Sequence, residues 1–89
     1  MKTNDDFTQK NIELSTEYSR YLFEHPELEE KLPVDAELIF LPEFDAELKV
    51  HNLKMGRDIE AQGRKVTYLS LTKMRPKKIS RIEGLAVAP

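Results

Sequence analysis

A chain of 89 residues, 39% apolar and 34% charged, suits one small domain around one core; it excludes a disordered chain and leaves no room for a second core. With no cysteine there are no disulfides, no thiolate chemistry and no Cys-containing zinc pattern, which fits a reducing compartment. The net charge of −2 hides a division, since residues 1–60 carry fifteen acids and seven bases (−8) whereas residues 61–89 carry one acid and seven bases (+6).

The opening "MKTNDDFTQK" lacks the apolar stretch of a signal peptide, and no apolar run in the chain is long enough to cross a bilayer. A soluble cytoplasmic protein is expected. From Phe7 to Glu24 the apolar residues recur at helical spacing. Phe7, Leu14, Tyr18, Tyr21 and Leu22 fall on one side with Asn11 among them, while Lys10, Glu13, Glu17, Arg20 and Glu24 gather on the other. "TNDD" supplies a capping side chain and early acids, and "HP" ends the helix, because proline disfavours α geometry in the residue before it.

Pro26 opens a second short helical turn that lasts until Pro33. "AELIFLP", Ala36 to Pro42, then holds four consecutive apolar residues, which predicts a strand covered on both faces and hence parallel pairing. A second long helix follows, with Asp45 as N-cap and Gly63 as a left-handed stop. Its main buried side is expected at Leu48, Met55 and Ile59, with His51 and Asn52 at the margins. Ala46, Val50 and Leu53 form a second, narrower stripe that needs a partner of its own, so they are the candidate interface. "KVTYLSL", Lys65 to Leu71, is the second strand, and the span between the strands is long enough for a right-handed crossover.

After Leu71 the pattern decays. Residues 72–89 read as a basic tail, with a short edge strand at Ile79 and Ile82 or at Leu85 to Val87 as the alternative. The fold class expected is therefore α/β, a single small domain of α-(short α)-β-α-β order built on a parallel βαβ unit.

The ordered elements N-x-E-L (Asn11, Glu13, Leu14), Y-L-x-x-H-P (Tyr21, Leu22, His25, Pro26), L-P (Leu41, Pro42) and D-x-E-L (Asp45, Glu47, Leu48) carry a resemblance. In this order they resemble a small bacterial and archaeal family known only as a domain of unknown function, over about two thirds of the chain, Asn11 to Leu71. Phe44 and Ala46 depart from the acid and proline expected there. The resemblance implies a cytoplasmic α-β-α-β domain and no particular activity.

Open α/β sheets bind ligands beyond the carboxyl ends of parallel strands. Here that edge is formed by "PEFD" and "TKMR", so Glu43 and Asp45 are expected near Lys73 and Arg75, either as a small polar site or as loops joined by ion pairs. His25 and His51 share no metal-ligand spacing, the glycines make no phosphate loop, and no carboxylate stands out as a general acid or base; no catalytic residue, cofactor or metal is assigned. The run "TKMRPKKISR" is a candidate anion-binding segment through Lys77, Lys78 and Arg81. It has no interleaved aromatic residue for base stacking, so neutralisation by acids of "PEFD" or of a neighbouring subunit is the preferred reading. The first functional expectation is a non-enzymatic protein–protein interaction module that self-associates, with another protein as the further candidate partner and with no membrane role. A nucleic-acid-associated regulator using residues 73–81, and a small-molecule or metal enzyme at the carboxyl edge, are the alternatives.

Overall fold

The computed structural model describes residues 3–76 and 82–88. Helix α1 spans Asn4–Glu24, a 3-10 helix spans Pro26–Lys31, strand β1 spans Glu37–Pro42, helix α2 spans Ala46–Ala61 and strand β2 spans Val66–Leu71. The two strands pair in parallel, from Glu37 beside Val66 to Pro42 beside Leu71, so the fold is the expected small α/β domain.

Local chemistry sets the element ends. Helix α1 begins ahead of its apolar periodicity because Thr3 and Asp6 form a capping box: the Thr3 hydroxyl accepts from the Asp6 N–H at 3.3 Å, and the Asp6 carboxylate accepts from the Thr3 N–H at 3.1 Å. It stops at His25, whose N–H donates to the Tyr21 carbonyl at 2.9 Å before Pro26 opens the 3-10 helix. Asp45 caps α2 by accepting from the Leu48 N–H at 3.2 Å, and Gly63 takes the left-handed conformation, φ 83°, just beyond its end.

Hydrogen-bond parity divides the two edges of the sheet. The Glu37 N–H donates to the Lys65 carbonyl and the Glu43 N–H to the Leu71 carbonyl, each at 2.9 Å. The N–H and C=O of one strand residue point the same way and alternate along the strand. Glu37, Ile39 and Leu41 therefore bond toward β2, and Leu38, Phe40 and Pro42 point to the outer edge of β1. Pro42, lacking an N–H, loses nothing there, and the Phe40 carbonyl is taken by the Asn52 side chain at 2.9 Å.

Side-chain parity assigns the faces. Tyr68 lies against Gly56 of α2, and its register partner is Ile39, so Ile39 and Leu41 share the α2 face with Val66, Tyr68 and Ser70. Leu38, Phe40, Thr67, Leu69 and Leu71 share the other face, where the Phe40 ring meets Tyr18 of α1 edge-on at 5.4 Å. Helix α1 thus reaches around the outer edge of β1, touching α2 through its first half and the far face through Tyr18.

Among the described residues the fully buried apolar side chains are Leu14, Ile39, Pro42 and Leu48, and Phe23, Val34, Phe44 and Val50 lie exposed. Two details differ from the periodicity of α2. Asn52 is not marginal: it is 1% exposed, at the centre of the buried side, while Met55 is exposed. Helical angle from Leu48 favours Met55, at about 20°, over Asn52, at about 40°, and the need to bond the Phe40 carbonyl brings the polar one inward. Residues 72–76 and 82–88 form neither helix nor strand, and Ile82, Leu85 and Val87 are exposed. Ile79 lies outside the described residues. Among the described residues no helix is long and apolar enough to cross a membrane.

Candidate functional site

At the carboxyl end of the strands the acids meet other cations than those the sequence offers first. Glu43 accepts from the Lys49 ammonium at 2.8 Å and from the Ser70 hydroxyl at 3.2 Å, and the Lys49 bond holds its carboxyl below the ordinary value. Asp45 accepts from the Lys10 ammonium at 2.7 Å while capping α2, which ties α1 to the start of that helix. Lys73 and Arg75 are exposed and make no ion pair among the described residues. Lys77, Lys78 and Arg81 lie outside the described residues.

Helical geometry locates the apolar stripe of α2. Taking Asn52 as the centre of the buried side, Gly56 lies about 40° toward β2 and His51 about 100° the other way, toward α1. The His51 ring stacks on Phe7 at 4.2 Å and Gly56 receives Tyr68, so both directions are fixed by contacts. Leu53 and Ala46 then fall on the flank nearest β2, at about 100° and 120°, and Val50 at about 160° points away from the sheet. Ala46 is exposed, Leu53 half-buried and Val50 68% exposed.

The edge of β2 continues that flank. By the parity above, Val66, Tyr68 and Ser70 direct their N–H and C=O groups away from β1, and among the described residues no backbone group bonds to them. β2 carries no charge, no proline and no bulge, the features by which exposed edges are usually protected. At its centre the Tyr68 ring covers Gly56, where a Cβ would stand 2.6 Å from Cε1. Its hydroxyl donates to the Glu60 carboxylate, and that bond pushes the phenol above its ordinary value.

The remaining polar features hold the chain together. His25 Nδ1 lies 3.0 Å from the Tyr21 carbonyl and its ring stacks on Tyr21. Among the described residues no three His, Asp or Glu side chains converge as a metal site. A wide-mouthed depression between Pro33, Glu60, Gly63 and Arg64 lies at the amino end of β2, opposite the edge where α/β sheets usually hold ligands.

The model of a family of unknown function, DUF5647, matches residues 6–85. The chain belongs to this family. That agrees with the expected resemblance to a domain family of unknown function. No curated protein and no solved structure matches. In this DUF5647 chain the surface that sequence reasoning passed over is the β2 edge, along with Gly56 and Tyr68, which bind it to α2. Its signal was present in "VTYLSL", an uncharged run lacking proline, but which edge lies open follows only from the hydrogen-bond parity of the folded pair.

Proposed function

We propose that the protein is a non-catalytic module that works by protein association, first with a second copy of itself. The observation that carries this reading is a two-stranded parallel sheet whose β2 edge has no backbone partner among the described residues. Two strands are marginal in water, and parallel strands are ordinarily covered on both faces and extended by neighbours. Among the described residues the fully buried apolar side chains are Pro42 together with Leu14, Ile39 and Leu48, the last three worth about 1.5–3 kcal/mol each, a thin core for a chain of this size. A second chain would supply the missing burial, and the partly open flank of α2 at Ala46 and Leu53 supports the same reading. The carboxylates at the strand ends support a structural role, since Glu43 and Asp45 are engaged by Lys49 and Lys10. Sedimentation velocity across the micromolar range tests the proposal: a dimer or larger assembly is expected, and a monomer at every concentration would contradict it.

A second reading is favoured by one observation. Lys73 and Arg75 are exposed without ion pairs among the described residues, which leaves them available to phosphates as a salt-sensitive contact of a nucleic-acid-associated protein. Retention of DNA or RNA in a low-salt mobility-shift assay, lost in Lys73→Ala/Arg75→Ala, would support it. No retention at low salt would remove it.

A further inference from the structure

We propose that two copies join through β2, antiparallel about a two-fold axis at Tyr68, giving a continuous four-stranded sheet in the order β1-β2-β2-β1. This rests on the self-association reading above and specifies its surface.

The occupant follows from the pattern of the edge. The outward residues Val66, Tyr68 and Ser70 are spaced evenly about Tyr68, so the edge reads alike in both directions. Such a patch is self-complementary under a two-fold, the commonest symmetry of homo-oligomers. Tyr68 bonds to Tyr68 of the second copy, and Val66 bonds to Ser70 of the second copy at each end. Thr67 and Leu69 then face one another as the non-hydrogen-bonded pairs.

The two edges of the sheet differ in the way this requires. The outer edge of β1 is closed to a strand, because Pro42 offers no donor and Asn52 already occupies the Phe40 carbonyl. β2 has no such obstruction.

The helices fit the same arrangement. An axis perpendicular to the sheet places both α2 helices on one face. With strands about 4.8 Å apart and α2 packed chiefly on β1, the helix axes come to about 14 Å from one another. The flanks that face one another across the axis are those bearing Leu53, so the apolar stripe borders the open edge. Tyr68, whose ring lies on that face over Gly56, stands beside Tyr68 of the second copy at the centre.

Amide hydrogen exchange on the full chain, at a concentration where sedimentation reports the assembly, tests the pairing. Val66, Tyr68 and Ser70 N–H groups are expected to exchange as slowly as those of Thr67 and Leu69, which bond to β1. If the protein assembles while the three outward amides exchange at free rates, the β2 pairing is overturned and self-association stands. If the protein is a monomer, both fall. Ser70→Pro removes an outward donor twice per dimer without touching the β1 ladder. It is expected to weaken dimerisation about tenfold or more while Thr67 and Leu69 stay protected. A folded Ser70→Pro protein that dimerises like the parent would overturn the proposal.

Discussion

The side-chain amides of Asn11 and Asn52 exchange two hydrogen bonds, at 2.9 and 2.8 Å, and a further Asn52 donor reaches the Phe40 carbonyl at 2.9 Å. One buried amide thereby joins α1, α2 and the outer edge of β1. It fixes how α1 crosses the sheet and closes that edge to strand pairing. Removing either partner leaves the other in a poorly solvated site. Asn11→Ala and Asn52→Ala are each expected to cost about 1–3 kcal/mol by chemical denaturation, and the double variant less than their sum. Additive losses would show that the amides do not act as a pair.

Gly56 is a glycine in mid-helix, a position where alanine ordinarily gains about 1 kcal/mol. Here the gain is offset because the new methyl would drive the Tyr68 ring off α2 and break its bond to Glu60. Gly56→Ala is expected to lose about 1 kcal/mol net, and Gly56→Ala in a Tyr68→Ala background to regain the helical benefit. Thermal unfolding of the four proteins of this cycle measures both effects.

The fold was largely legible because its signals are local. Thr3, His25-Pro26, Asp45 and Gly63 mark element ends by backbone chemistry that any sequence displays, and the four apolar residues of β1 announced a covered, parallel strand. The site was less legible because it depends on parity and neighbours. Glu43 and Asp45 lie at the expected edge, yet Lys49 and Lys10 reach them, since a lysine one helical turn into α2 and another on the crossing α1 are distant in pattern and close in space. Asn52 reads as marginal from its angle alone, and only the unpaired Phe40 carbonyl explains its burial.

The Tyr18 hydroxyl is buried and has no hydrogen-bond partner among the described residues, and burial, assisted by Glu29, raises its phenol above the ordinary tyrosine value. Tyr18→Phe deletes an unsatisfied polar atom and keeps the ring on Phe40, so stability is expected to stay equal or to rise by up to about 1 kcal/mol. The sign of the pH effect is also fixed. Below the ordinary tyrosine value both states keep the proton; above it the unfolded chain loses the proton first, so stability falls as pH rises toward the higher folded value. Alkaline denaturation should shift to higher pH in Tyr18→Phe.

Glu43 and Asp35 titrate below the ordinary carboxylate value, held there chiefly by hydrogen bonds from Lys49 and Lys65. Their contribution is complete above the ordinary value and is lost as pH falls through the lower folded ones. Both are exposed, so the effect is small and salt-sensitive. Melting temperature followed from neutral to acid pH should decline less steeply in Glu43→Gln than in the parent, and added salt should narrow the difference.

Isotope-filtered NOE spectroscopy on a mixture of labelled and unlabelled chains reads the central pairing directly. A contact between the Hα of Thr67 in one chain and the Hα of Leu69 in the other is the expected result, since these residues form the close pair of an antiparallel β2 junction. Interchain contacts confined to other surfaces, or none at concentrations where the protein sediments as an assembly, would contradict the account.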